Sequence, residues 1–227
     1  METIQATAAF GLEAVVRRQC ESIGLEPCRI EDGHVLFPGG SEEIMKANLY
    51  LASADRILLE LGRFQAASFD ELFDGVAHLP WTEWLPRDAC FPVRAKCVRS
   101  RLASPSDVQK IVKKAIVTRL QKKYHESRFS ESGALFPVDV RIHKDQCVIC
   151  LDTTGEGLFK RGYRVNKGEA PIKETLAAAL VDLSVWNASR PLADVFCGSG
   201  TLLIEAARRA RHIPPGIDRS FLFQSWP

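Results

Sequence analysis

Asp194-Val195-Phe196-Cys197-Gly198-Ser199-Gly200-Thr201 is the segment whose residue types and spacing say most about chemistry. An apolar run feeds a turn of small residues, and a helical pattern begins at once. Glycine lets a ligand approach the backbone closely, and a helix start offers N–H groups without intrahelical partners. A nucleotide-like ligand suits such a loop. A glycine turn that only joins strand to helix is the alternative. Leu203 stands where the dinucleotide pattern G-x-G-x-x-G needs glycine, and no Gly-Lys-Ser/Thr ending follows for a P-loop. Cys197 stands where the serine elbow G-x-S-x-G needs glycine, so Ser199 is not expected to be a nucleophile.

The elements around this loop predict a helix over Ile172–Trp186, a strand over Leu192–Phe196 and a helix over Thr201–Arg211. Helix, strand, glycine loop, helix is the opening of a parallel α/β domain. One strand cannot make a sheet, so residues 156–227 are expected to be a linker and the incomplete start of a Rossmann-like domain, in a C-terminally truncated chain. Upstream, Thr153–Lys173 carries glycine at 155, 157, 162 and 168 without periodicity and reads as a connector.

Residues 1–63 read as β-α-β-β-α-β, the order of a ferredoxin-like α+β sandwich. Gly11–Ile23 has helical spacing, Asp32-Gly33 signals a hairpin, and Ser41 is the expected cap of a second helix. Residues 64–155 continue the mixture. Phe69–Leu79 reads as a helix stopped by Pro80, Phe91–Val98 as a strand, and Ser104-Pro105 as the start of a long helix to Tyr124. Val108, Ile111, Val112, Ala115, Ile116 and Leu120 give that helix an apolar stripe. Phe136–Ile142 and Cys147–Leu151 are the expected strands beyond it.

Charge is concentrated on this middle region. Arg94, Lys96, Arg99 and Arg101 lie on or after one strand, and Lys110, Lys113, Lys114 and Lys122 on the helix, with Asp107 as the sole acid between Arg94 and Lys123. Phosphates are the natural partner of such a cluster. A solvated helix face is the other reading. The net charge of +2 argues against a binder that works by bulk electrostatics alone. With 46% hydrophobic residues the chain can build a sizeable core, and it has no apolar run long enough for a membrane span. Seven scattered cysteines suggest a reducing, cytoplasmic setting. Cys147 and Cys150 have C-x-x-C spacing, but strand residues three apart face opposite ways, so no metal is expected. Trp81 and Trp84, near Pro80 and Pro86, read as a packed corner.

The glycine loop resembles the first S-adenosylmethionine motif of the THUMP-domain RNA methyltransferases, an Asp-Pro-x-Cys-Gly-Ser-Gly-Thr run, with Val195 in place of proline. Leu202–Ala207 is similar to the family's Leu-Leu-Ile-Glu-Ala-Ala continuation, and Leu158–Arg164 and Ala170–Ala179 resemble the segment that covers the cofactor. The likeness is closest to the bacterial 23S rRNA guanine-N2 methyltransferases. It implies S-adenosylmethionine as cofactor, with Arg161, Tyr163, Pro171, Glu174, Asp194, Phe196, Cys197, Gly198, Ser199, Gly200 and Thr201 around it and Thr201 capping the helix. It also makes 64–155 a THUMP RNA-binding domain and RNA, most of all 23S rRNA, the partner. The family's Asn/Asp-Pro-Pro-Tyr/Phe segment has no match, since Pro214-Pro215 runs into Gly216. The acidic residue for the cofactor ribose has no match either. No catalytic residue is therefore assigned, and the chain alone is expected to be inactive. A non-catalytic RNA-binding module with a vestigial cofactor loop, and guanine methylation of tRNA, remain the alternatives.

Overall fold

The computed structural model describes residues 1–164 and 171–227. Gly168 of the expected connector and Ala170 of the cofactor-covering segment lie outside the described residues. Contacts divide the chain into two units, one made of residues 1–58 with 154–223 and the other of residues 59–153 with 224–227.

The first unit opens with β1 (Glu2–Thr7), α1 (Glu13–Ser22), β2 (Arg29–Glu31), β3 (His34–Gly39), α2 (Ser41–Tyr50) and the start of β4 (Arg56–Gln65). This is the expected β-α-β-β-α-β order, and the strands lie β2-β3-β1-β4. β1 and β3 run antiparallel with Ile4 opposite Phe37, and both side chains are fully buried. Gly33 (φ +74°) makes the hairpin turn between β2 and β3, a conformation that glycine adopts without strain. Ser41 is not the cap of α2. Gly40 is, and its N–H donates to Glu43 Oε2 at 2.8 Å, the reach-back half of a capping box. That bond draws the Glu43 carboxyl below its usual range. Inside the unit, Asn48 is fully buried and accepts from Thr154 Oγ1 at 2.7 Å, while Thr154 Oγ1 accepts from the Ile57 N–H at 2.8 Å. A buried amide needs such partners.

The same unit holds α6 (Glu174–Leu183) and α7 (Thr201–Ala210). The expected strand over Leu192–Phe196 does not form. A strand is held by a neighbour's hydrogen bonds, and among the described residues no strand pairs with this segment. Asp194 Oδ1 instead accepts the Phe196 N–H at 3.0 Å, bending the chain into an Asx turn. Val195 and Phe196 are left 85% and 93% exposed. The α/β start expected at 156–227 is thus represented by its two helices and its loop.

The second unit contains the rest of β4, then α3 (Phe69–His78), α4 (Trp81–Trp84), β5 (Val93–Val98), α5 (Pro105–Tyr124), β6 (Val138–His143) and β7 (Gln146–Asp152). Its strands lie β4-β7-β6-β5, with β5 and β6 parallel and β6 and β7 antiparallel. α5 has the bounds its sequence predicts. Ser104 Oγ accepts the Asp107 N–H, Pro105 is the first helical residue, and Val108, Val112, Ala115, Ile116 and Leu120 are buried. Ile111 is only half-buried. Trp81 is fully buried and its indole donates to the Val76 carbonyl at 2.6 Å, which makes the packed corner expected there. Trp226 joins this unit, stacked on Phe136 with centroids 4.6 Å apart. Cys147 and Cys150 both lie on β7 and are buried, and burial pushes the Cys147 thiol up to about 12. Among the described residues no helix is long and apolar enough to cross a membrane, and no His, Cys, Asp and Glu cluster could hold a metal.

Candidate functional site

The glycine loop ends at α7, whose N-cap is Gly200 in the left-handed conformation (φ +70°), with Gly198 also left-handed (φ +52°). Among the described residues, a Cβ on either glycine would meet nothing within 4 Å. The turn is closed by the Gly200 N–H donating to the Cys197 carbonyl at 2.7 Å. Among the described residues no side chain caps α7, and its first N–H groups have no intrahelical partner. The residues present therefore fit an anionic or polar ligand lying over Gly198 and Gly200. Asp194, Phe196, Cys197, Gly198, Ser199 and Gly200 are brought together in this one turn. Thr201 is not the cap. It is the first helical residue, its side chain is buried, and its hydroxyl accepts from Arg164 at 2.8 Å and lies 3.0 Å from Ser199 Oγ.

The connector before α6 braces α7 from one side. Thr201, Glu205 and Arg208 recur at i, i+4 and i+7, so they share a helix face. Arg164 meets Thr201, while Arg161 Nε at 3.2 Å and the Tyr163 hydroxyl at 2.8 Å both donate to Glu205 Oε1. The Arg208 guanidinium lies 5.8 Å from the Tyr163 ring centroid. Arg161 also bonds the Ala52 carbonyl, and its side chain is 1% exposed. Burial pulls its pKa below the usual arginine value while Glu205 opposes the shift. Burial, and then the Glu205 carboxylate, push the Tyr163 phenol well above its usual range.

Two of the expected cofactor contacts have protein partners of their own. Arg161 and Glu174 are buried in ion pairs, with Glu205 and with Arg164 (3.3 Å), and they position the helices around the loop. Tyr163 is half-buried against Glu205, and Pro171 is half-buried three residues before α6. Glu205 was the missed member. A partial signal was available, because an acid one turn into a helix, in line with Thr201, needs a cation if that face is buried.

The expected RNA-binding residues divide between two faces of the second unit. On β5, Arg94 and Lys96 share the face of their ladder partners Asp139 and Arg141, while Val93 shares that of buried Val138. Val93 and Pro92 join Lys110, Lys113 and Lys114 of α5 around a groove of about 550 Å³. Arg94 and Lys96 therefore do not join the helix lysines in one patch, since alternate strand residues face opposite ways. Lys113 is engaged internally, 3.6 Å from the Phe91 ring centroid and 2.9 Å from Glu131. Lys110 and Lys114 are exposed, and Lys110 lies 3.2 Å from Asp107. Lys122 is exposed near the end of α5, and Arg99 and Arg101 are exposed just past β5, where Arg101 is 3.9 Å from Asp145.

Three domain descriptions match the chain in this order. Residues 3–58 match the RlmL ferredoxin-like domain, residues 66–152 the THUMP domain, and residues 161–225 the RMKL-like methyltransferase domain UPF0020. The chain thus carries ferredoxin-like, THUMP and methyltransferase domain sequences. Among individual proteins it is 47% identical over 226 residues to the "Putative RNA methyltransferase YpsC" of Bacillus subtilis (strain 168), covering 99% of this chain and 58% of that protein. A solved structure titled "predicted N6-adenine-specific DNA methylase" from Listeria monocytogenes str. 4b F2365 matches with TM-score 0.95 and 49% identity, over 99% of this chain and 59% of that one. SMU.472, "a putative methyltransferase complexed with SAH", matches with TM-score 0.94 and 47% identity, over 100% of this chain and 60% of that one. The chain therefore spans about three fifths of the relatives it matches.

Proposed function

We propose that this chain works within an S-adenosylmethionine-dependent RNA methyltransferase that modifies guanine N2, in 23S rRNA. One observation carries the reading: two left-handed glycines at the start of α7, with space beside them among the described residues, in the same chain as a THUMP domain. Gly198 and Gly200 would admit the cofactor against the backbone, with Asp194, Phe196, Cys197 and Ser199 around it. When bound, S-adenosylmethionine supplies a methyl group on a sulfonium centre. Arg161, Tyr163 and Arg164 hold α7, and with it the loop, at a fixed distance from α6. Such positioning is where methyl transfer gains most, because the reacting atoms must meet in line. The basic groove of α5 would hold RNA phosphates. The names of the relatives disagree between RNA and DNA, and the THUMP match supports RNA. A cytoplasmic location belongs to the same proposal, on the odd number and scattered spacing of the seven cysteines.

Calorimetry with S-adenosylhomocysteine, and filter binding with separate rRNA and tRNA pools, test both halves. Binding of cofactor product and a preference for rRNA support the reading. A preference for tRNA moves the substrate. RNA binding without any affinity for S-adenosylhomocysteine favours the second reading, an RNA-binding module.

A further inference from the structure

We infer that the cleft between α1, the end of α2 and α7, within the first unit, binds a single-stranded stretch of RNA. This rests on the RNA reading above but concerns a different unit from the THUMP groove. The cleft has a volume of about 620 Å³, room for a splayed nucleotide with its phosphates. Its rim carries Arg18 from α1, Arg208 and Arg209 from α7, and His212 just beyond. Two carboxylates also line it: Glu205 is turned to internal partners, and Asp182 compensates the rim's own Arg209. Glu205 takes Arg161 and Tyr163, while Asp182 takes Arg209 and the Gln19 amide. Arg18 is exposed and has no ion-pair partner among the described residues, so its charge faces the cleft uncompensated. Arg208 pairs with Asp218 at 3.6 Å and donates to the Pro214 carbonyl at 2.9 Å, and only its buried Nε lacks an acceptor among the described residues.

The second component is aromatic. Tyr50, the last residue of α2, is 44% exposed and lines the cleft beside Pro214 and Pro215. A flat ring next to cations is the arrangement that holds unstacked bases by stacking and their phosphates by charge. Duplex RNA would offer the phosphates but no free base face. The ring's surroundings are rigid, because the Gly216 N–H donates to the Leu49 carbonyl at 3.0 Å and fixes the proline wall against α2. Arg18 is assigned to a phosphate and Tyr50 to a base.

The test is anisotropy titration of the full chain with a labelled single-stranded RNA oligonucleotide of mixed sequence, across a salt series. Arg18→Glu and Tyr50→Ala are compared with Lys110→Glu/Lys114→Glu. Each cleft variant is expected to weaken binding by about fivefold or more, and Arg18→Glu alone to lower the salt slope by about one. Ultraviolet crosslinking of the wild-type chain, read by mass spectrometry, is expected to mark Tyr50, which keeps the test valid if a variant misfolds. Unchanged affinity in both cleft variants, with weaker binding in the lysine variant, overturns this inference and leaves the RNA reading standing. No RNA binding by the wild-type chain overturns both. Guanosine monophosphate binding as tightly as the oligonucleotide also overturns it, because the cleft would then be a free-nucleotide site.

Discussion

Glu205 Oε1 lies 3.2 Å from Arg161 Nε, and the two side chains are 4% and 1% exposed. Removing one partner of a buried pair strands the other charge without solvent, at a cost of about 3–5 kcal/mol. Glu205→Gln and Arg161→Met should each lower unfolding free energy by that order in urea titrations. The double variant Arg161→Met/Glu205→Leu should recover part of the loss, because no lone charge remains. A double-variant loss equal to the sum of the two single losses would show that the pair is not coupled.

Tyr163 gives a pH signature on the same carboxylate. Its phenol is raised above the ordinary value of 10.0, mainly by burial and then by the bond to Glu205. The unfolded chain therefore loses its phenol proton before the folded chain does. The contribution to stability is complete below pH 10 and disappears as pH rises from there toward the folded value. Tyr163→Phe should be about 0.5–1.5 kcal/mol less stable at neutral pH. It should also show a shallower decline in urea midpoint above pH 10 than the wild type. Parallel declines in both proteins would contradict the assignment.

The elements that sequence predicted well are those whose signals are local. Ser104 and Pro105 start α5 because cap and first-turn chemistry need only neighbours in the chain. Asp32-Gly33 turns the hairpin for the same reason. Leu192–Phe196 failed because strand formation depends on a partner, and an apolar run carries no information about whether one is adjacent. The split of the basic residues was concealed in period: Arg94 and Lys96 share one sheet face, while the α5 groove lies beside Val93. At the loop, residue types were readable but roles were not. Arg161 looked like a ligand contact, and its burial against Glu205, 44 residues away, was invisible without the fold.

Gly198 and Gly200 allow stability to be separated from ligand binding. Each has positive φ, and among the described residues nothing lies within 4 Å of where a Cβ would stand. Alanine at either position meets no clash, only the left-handed penalty of about 1–2 kcal/mol. The thermal midpoint should therefore fall modestly. Affinity for S-adenosylhomocysteine, measured by calorimetry, should fall at least tenfold if the backbone is the contact surface, because the new methyl stands where the ligand approaches. Unchanged affinity would remove the loop from the site.

The α5 lysines should differ among themselves. Lys110 and Lys114 are exposed, whereas Lys113 sits over Phe91 and bonds its carbonyl at 3.2 Å. Charge reversal at 110 and 114 should weaken RNA binding across sequences and lower the salt slope by about one for each phosphate that is no longer neutralised. Lys113→Ala should act on stability as well, since a cation–π interaction and an ion pair go together, worth about 0.5–1 kcal/mol each at a partly exposed site. Filter binding and denaturation on the same three variants distinguish these roles. A Lys113 variant as stable as the others would mean that its ring interaction is incidental.

Gly216 sets the wall of the α1–α7 cleft through the absence of a side chain. A Cβ there would lie 2.9 Å from the Asn48 carbonyl oxygen, 3.0 Å from Leu49 Cα and 2.7 Å from Phe221 Cζ. Two of these are backbone atoms near the end of α2, where Asn48 is tied to Thr154 and Ile44, so they cannot yield as a flexible side chain would. The residue is buried, and its N–H is held by Leu49. Gly216→Ala should therefore push the Pro214-Pro215 segment away from α2, with a loss of about 1–3 kcal/mol from overpacking. The strain is local, so amide exchange should rise along Leu49–Leu51 and Ile213–Ile217 before it rises in the β1–β3 ladder. A variant with wild-type exchange at Leu51 would show that the loop relaxes without cost, and that the cleft wall is softer than its close packing implies.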